Sequence, residues 1–491
     1  MADNLQSNLI FGMKPKTFAM ATTGVVIAAS LVYVIYFDHK QRNDSELKKQ
    51  LKRECKNVEK TAKPTEIRKL KLINQVLVAV EKEPLPVTPE AKEKYYIEQL
   101  AFGERLCAAG EVFYDDAVLP FYKAFKAYPD PLELMKIYQK TLPEPIVQTI
   151  FQLNTLEQNK RQARFYELFP PKETHVRLAE ILAGESLEGK PLYRRGLVAN
   201  EELKEGQVIY TESPLVSVLH PSLGSQYCNF CLKKIPEEGK IECSNCDNVA
   251  FCSAECDKVA NENYHPYFCT NSKNYNEGKV NAEGEETTTP SDNDNAKEMA
   301  FLNYTKKKNA KYAYMVAKFL STFMTEEIER ICRGEPSETN YSSWDHIDHF
   351  RYIDTSADEE TAHEMVMLKE MLGSKVQGIS EFITNEIYPM LKGKMVFNAY
   401  AVNISEDVYV PESNEQIRKT SSDKKSVGAA LYKISTYIGQ SEAEPNVKLT
   451  FDDSHDISIV ALKDISKDTE LFASYPSLFL DYYFTRYIPW I

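Results

Sequence analysis

The first distinctive pattern along the chain is an uncharged run from Thr17 to Phe37, TFAMATTGVVIAASLVYVIYF. As a helix it would be about 31 Å long, enough for one membrane crossing. The pattern then turns strongly polar. Residues 44–83 show sparse apolar positions at helical spacing, Leu47, Leu51, Leu70, Ile73, Leu77 and Val80, with an interruption at Pro64. A Pro84-Leu85-Pro86-Val87-Thr88-Pro89 break follows, and after it amphipathic periodicity predicts helices over 90–109, 113–128 and 131–153, the last broken near Pro143 and Pro145. From Arg194 onward short apolar runs alternate with turn residues, as in Leu197-Val198-Ala199 and Val208-Ile209, which predicts short strands. Residues 271–300 are acidic, rich in Ser, Thr and Asn and without periodicity, the composition of a disordered linker. Helical periodicity returns over 307–333 and 358–391. The fold class expected is α+β and multidomain: a single N-terminal transmembrane helix, a small all-α domain, and a mostly β body with helical insertions.

Charge sharpens this division. The chain of 491 residues has net charge -13, which argues against a nucleic-acid binder, and its 43% hydrophobic and 27% charged residues exclude a wholly disordered or polytopic membrane protein. Residues 1–72 nevertheless hold 14 Lys/Arg against 7 Asp/Glu, and the remainder 45 against 65. Lys40, Arg42, Lys48, Lys49, Lys52, Arg53 and Lys56 follow the apolar run, whereas Lys14 and Lys16 precede it. The positive-inside rule therefore leaves the long C-terminal part in the cytosol. A cleaved signal peptide and a buried core helix are the rival readings of the run. The first is opposed by the run's length and by the lysine cluster after it, the second by its charge-free extreme-terminal position.

Seven of the ten cysteines and one histidine fall within 42 positions: Cys228-x2-Cys231, Cys243-x2-Cys246, Cys252-x3-Cys256 and His265-x3-Cys269. Eight soft S/N ligands fill two closed tetrahedral Zn²⁺ sites, and closed sites are structural or protein-binding rather than catalytic. A disulfide framework is the rival, disfavoured by a reducing cytosol.

Three resemblances follow from these residues. Ala117, Phe121, Ala124 and Pro129 fall at A-x3-F-x2-A-x4-P, the spacing of a tetratricopeptide second helix. Together with Tyr95-Tyr96-Ile97-Glu98, Gly103-Glu104-Arg105-Leu106, Tyr128-Pro129-Asp130-Pro131 and Thr141-Leu142-Pro143-Glu144-Pro145, they make residues 1–155 resemble the 20-kDa presequence receptor of the mitochondrial outer-membrane translocase (TOM complex). That resemblance implies an anchor over 1–43, a charged stalk over 44–89 and a TPR-like receptor domain over 90–160. Its groove for amphipathic presequences would be lined by Tyr96, Ile97, Leu100, Ile137 and Tyr138, with Glu104 on the rim. The partners implied are presequences of mitochondrial precursor proteins, other TOM complex subunits and the outer membrane.

The cysteine spacing resembles the MYND zinc finger. In that family the sites interleave, so Cys228, Cys231, Cys252 and Cys256 would hold one ion and Cys243, Cys246, His265 and Cys269 the other. The finger's protein partner is not identified by its residues. Arg194-Arg195-Gly196-Leu197-Val198-Ala199, Phe397-Asn398-Ala399-Tyr400 and Glu470-Leu471-Phe472-Ala473-Ser474-Tyr475 resemble a SET methyltransferase domain over 174–485, with the finger inserted at 228–269 as in the SET-MYND family. The departures weigh heavily. Active members carry Gly-x-Gly where this chain has Arg194 and Gly196, and Asn-His-Ser-Cys before a Pro-Asn pair where it has Gly439-Gln440-Ser441-Glu442-Ala443-Glu444-Pro445-Asn446, so that Asn, His and Cys are replaced and one residue is inserted. Gly196 and Asn398 remain as cofactor-side positions and Tyr475 as the position of the catalytic tyrosine. S-adenosylmethionine is therefore doubtful as a cofactor. The expectation is a single-pass import receptor of the mitochondrial outer membrane carrying a non-catalytic SET-MYND module. The alternative is an outer-membrane-anchored S-adenosylmethionine-dependent protein-lysine methyltransferase.

Overall fold

A computed structural model describes residues 64–475, except 84, 87–88, 129–130, 186–188, 190, 271–293, 334–340, 377–378, 406–417 and 420–424. The apolar run 17–37 and most of the acidic stretch 271–300 lie outside the described residues. Among the described residues no helix is long and apolar enough to cross a membrane. The described chain up to Phe165 belongs to one compact unit, which also takes in parts of 327–340 and 377–382; the rest forms a second unit.

The first unit is built from α1 (Pro64–Lys82), α2 (Pro89–Ala108), α3 (Tyr114–Ala127), α4 (Pro131–Thr141) and α5 (Glu144–Leu168). Three of these begin on a proline, whose fixed φ suits the first helical turn and whose missing N–H costs nothing there. Ala117, Phe121 and Ala124 are fully buried on α3. Opposite them on α2 stands Gly103, where an added Cβ would lie 2.9 Å from the Phe121 ring, so only glycine lets the two helices approach this closely. Tyr138 packs edge-on against Phe121 at 5.6 Å and donates its hydroxyl to the Phe121 carbonyl at 3.1 Å. The expected stalk over 44–89 divides. Its first part is outside the described residues, whereas Ile73, Val76 and Leu77 of α1 are buried in the same core as α2, α3 and α4. Arg68 also pairs with Asp115, and Glu83 with Lys123 and Tyr95. Residues 64–83 are thus part of the helical domain: their sparse apolar stripe is narrow because one face of a single helix is all that packs.

In the second unit a long hairpin of β1 (Val176–Glu185) and β2 (Pro191–Ala199) precedes β3 (Val208–Glu212) and β4 (Val216–Leu219). The cysteine-rich segment follows, with β5 (Ile241–Glu242) paired to β6 (Ala250–Phe251), then α6 (Ala254–Asn263) and α7 (His265–Phe268). Next come α8 (Asp294–Lys308), α9 (Lys311–Cys332), α10 (Ser343–Asp348), α11 (Glu359–Gly373) and α12 (Ile387–Asn398). Because α8 begins at Asp294, residues 294–300 of the segment expected to lack structure are helical, a correction to that boundary. The remaining strands are β7 (Tyr400–Ser405), β8 (Lys425–Leu431), β9 (Gly439–Gln440), β10 (Val447–Phe451), β11 (Ile457–Ala461) and β12 (Phe472–Ala473). They complete a five-stranded sheet of order β3-β11-β10-β12-β9 and a three-stranded sheet of order β4-β8-β7. The buried Glu212 carboxylate of β3 holds the connection between β8 and β9 by accepting from the Ile434 and Ser435 amides at 2.7 and 2.9 Å. Burial raises its pKa, against the pull of those hydrogen bonds.

Candidate functional site

Three constellations carry chemistry. In the cysteine-rich segment the eight expected ligands gather into two groups, Cys228, Cys231, Cys252 and Cys256, and Cys243, Cys246, His265 and Cys269. The ligand atoms of each group lie within 4.8 Å of one another. Sulfur separations are 3.4 Å for Cys231–Cys252, 3.7 Å for Cys252–Cys256 and 4.0 Å for Cys243–Cys269. His265 Nε2 is 3.2 Å from the Cys243 sulfur and 3.7 Å from that of Cys246. A tetrahedral ion with Zn–S bonds of about 2.3 Å needs sulfurs about 3.8 Å apart, so the donors present fit zinc. The second group is wholly buried. Ser253 caps α6 by accepting from the Cys256 amide, so Cys252 stands just before the cap and Cys256 in the first turn of the helix.

The finger is not an appendage. Lys318 of α9 is buried and donates to the Ser217 and Asn229 carbonyls at 2.8 and 3.0 Å, with its ammonium 4.0 Å from the Tyr264 ring centroid. Burial pulls its pKa down to about 7, against the raising influence of Cys228 and Cys231. His455 takes the Cys231 carbonyl through its backbone amide and meets Ser217 Oγ at 2.7 Å. These anchors were not among the residues expected from the sequence. The one signal was Lys318 alone inside the apolar run Tyr312 to Met324.

In the helical unit Tyr96, Leu100 and Tyr138 are buried, and Tyr96 packs on Tyr128 with ring centroids 4.9 Å apart. Ile137 is half-buried and Ile97 is 46% exposed. Glu104 lies near Tyr96, Tyr138 and Cys107; its Oε1 is buried without a hydrogen-bond partner, and burial raises its pKa. Phe102, Val112 and Phe113 are further exposed apolar side chains of this unit.

In the sheet-rich unit Gly196 sits on β2, where an added Cβ would strike the Ile181 side chain and lie 2.8 Å from both Arg194 Nη1 and Glu470 Oε1. Those two atoms form an ion pair of 2.6 Å. Asn398, the last residue of α12, donates to the Arg351 and Lys394 carbonyls at 2.7 and 2.8 Å, and its Oδ1 accepts from Arg418 at 3.3 Å. Arg418 also reaches the Phe397 carbonyl, the Tyr400 hydroxyl and the Thr436 carbonyl at 3.1, 2.9 and 3.0 Å. The buried Tyr475 hydroxyl donates to the Ile438 and Gly439 carbonyls at 3.3 and 3.4 Å. Burial, with Arg418 and Arg194 nearby, lowers the Arg351 pKa to about 10. Gly196, Asn398 and Tyr475 thus adjoin one arginine-rich interior, of which Arg418 gave no sequence signal.

Comparison with known proteins agrees with this division. The MAS20 protein import receptor family matches residues 20–167 and the SET domain family residues 194–476. The mitochondrial import receptor subunit tom20 of Neurospora crassa is 34% identical over 141 residues, covering 28% of this chain and 77% of that protein. The corresponding TOM20 of Saccharomyces cerevisiae is 32% identical over 135 residues, covering 26% and 73%. The histone-lysine N-methyltransferase ASHR2 of Arabidopsis thaliana is 38% identical over 88 residues, only 17% of this chain and 20% of that protein. The chain belongs to the MAS20 import receptor family through its helical N-terminal part and to the SET-domain family through its sheet-rich body.

Proposed function

We propose that this protein is an import receptor of the mitochondrial outer membrane, anchored by residues 17–37 with its bulk in the cytosol. Its helical domain binds amphipathic presequences of precursor proteins, and other TOM complex subunits are its partners. The carrying observation is the extended similarity to two import receptor subunits, each matched over more than 70% of its length. The helical unit supports it: Ile97 is exposed while Tyr96, Leu100 and Tyr138 are buried, and Glu104, near Tyr96 and Tyr138, has a carboxylate oxygen without a hydrogen-bond partner. A presequence helix can lay its apolar side chains on Ile97 and Ile137 while a basic side chain meets Glu104. Fluorescence anisotropy with the full chain is the test. A labelled amphipathic presequence peptide should bind, and the same peptide broken by a central proline should not; equal binding of the two would sink the assignment.

The cysteine-rich segment is read as a MYND-type finger with two structural zinc ions and an unidentified protein partner, and the SET body as non-catalytic. The similarity to ASHR2 favours a second reading, a membrane-anchored protein-lysine methyltransferase that catalyses through Tyr475 and binds S-adenosylmethionine at Gly196 and Asn398. Transfer of a labelled methyl group by the wild-type chain to histone or precursor protein would establish that reading and remove the non-catalytic one.

A further inference from the structure

The family's methyl donor implies an open pocket beside Gly196, Asn398, Gly439 and Tyr475, and the residues present do not fit it. At Gly196 the space in front of the backbone is taken by Arg194 Nη1 and Glu470 Oε1, an ion pair whose side chains are only 19% and 11% exposed. At Gly439 an added Cβ would lie 2.7 Å from the Phe472 ring and 3.0 Å from the same Glu470 oxygen. The amide of Asn398 is spent on two backbone carbonyls and its oxygen on Arg418. The guanidinium of Arg418 further holds Tyr400 and the carbonyls of Phe397 and Thr436, and lies 6.0 Å from the Tyr475 ring centroid.

We infer that Arg418 and the Arg194–Glu470 pair are built-in occupants of this pocket, so that the SET body excludes S-adenosylmethionine by its own packing. The inference rests on the non-catalytic reading and gives it a physical cause. Charge points the same way as space. The methyl donor carries a sulfonium cation, which would enter beside Arg351 and Arg418, where the nearby Glu470 carboxylate is already paired with Arg194, and like charges brought together away from water repel. Displacing Arg418 would also leave the Tyr400 hydroxyl, the Asn398 oxygen and two carbonyls in the interior without their donor, a penalty of the kind that rejects a ligand.

Calorimetry of the full wild-type chain with S-adenosylmethionine, and separately with its uncharged-sulfur product S-adenosylhomocysteine, tests this. No saturable binding is expected for either up to about 1 mM. Hydrogen exchange of the wild type over 192–199, 397–402 and 436–441 should be slow and unaltered by either ligand. Arg418→Ala should lower the melting temperature of the SET body by about 5 °C or more, or abolish its folding. Saturable binding, ligand-induced protection of those segments, or an Arg418→Ala protein as stable as wild type would each overturn the inference. Binding without methyl transfer would remove the packing argument and leave the non-catalytic reading standing, whereas methyl transfer would remove both.

Discussion

Ile97 and Leu100 lie three positions apart on one helix and differ in what they touch, so replacing each by alanine separates ligand contact from packing. Leu100 is 4% exposed within the helical core, and its truncation should cost about 2–5 kcal/mol of stability. Ile97 is 46% exposed. Alanine at this site removes three carbon groups, worth about 2.4 kcal/mol if wholly taken from water, at about 0.8 kcal/mol each. Since about half of the side chain is still wet, a ligand can desolvate only that half, about 1 kcal/mol or a five- to sixfold weakening of Kd. Stability should change by no more than the other half. The assay pairs fluorescence anisotropy of a labelled presequence peptide with thermal melting, both on the full chain. Ile97→Ala should weaken binding about fivefold and depress melting much less than Leu100→Ala does. An unaltered Kd for Ile97→Ala would refute the placement of the ligand. So would a melting loss at Ile97 as large as at Leu100, since the residue would then belong to the core.

Metal analysis of the purified chain should find two zinc ions per molecule, and Cys246→Ser should release the ion of the buried group while lowering the melting temperature; a variant retaining both ions would mean that Cys246 is not a ligand. Gly103→Ala gains about 1 kcal/mol of helix propensity but forces a Cβ against the fixed Phe121 ring, an overpacking cost of about 1–3 kcal/mol, so denaturant titration should show a net loss of up to about 2 kcal/mol. A stabilised variant would show that the helix contact yields freely. Burial lowers the His346 pKa to about 3. Its native state therefore refuses a proton that the unfolded chain accepts near pH 6.5, and stability is lost as pH falls below that value, by up to about 1.4 kcal/mol per pH unit. His346→Gln should flatten the fall in denaturation midpoint between pH 6.5 and 5; an identical slope would dismiss His346 as its source.

Local features were legible in the sequence where one residue type does one thing. The break ending at Pro89 and the proline at 131 stand where helices begin because a missing N–H is harmless in a first turn, whereas Pro64, expected as an interruption, also opens a helix. The cysteine spacing marked the eight ligands because chelation fixes short loops, and their division into two groups followed from the resemblance to the MYND finger. The packing of α1 into the receptor core was not legible, since Ile73, Val76 and Leu77 form a stripe too thin to distinguish a docked helix from a stalk. Arg418 was invisible for another reason. It stands in a polar stretch, and its partners Phe397, Asn398, Tyr400 and Thr436 come from segments on either side of it that only the tertiary fold brings together. A degraded motif can be read from sequence, but what fills the space it vacates cannot.

The pairing distances within the sheet-rich unit have a consequence for the order in which the protein is made. Arg177 waits for Asp468, 291 positions later, and Glu212 for Ser435, 223 later, while the core of α1 to α5 closes within residues 73–153. At ribosomal speeds of about 5–20 residues per second, the residues of that helical core are made roughly 15–60 s before the last SET strand emerges. The nascent chain can therefore fold its receptor helices while still attached to the ribosome, and its seven clustered thiols, all made by Cys269, wait about 10–40 s for that strand on an unfinished scaffold. Zinc captured then would shield the cysteines from oxidation, and it would hold the inserted finger ready for Lys318, which reaches the Asn229 carbonyl, and later for His455, which takes the Cys231 carbonyl.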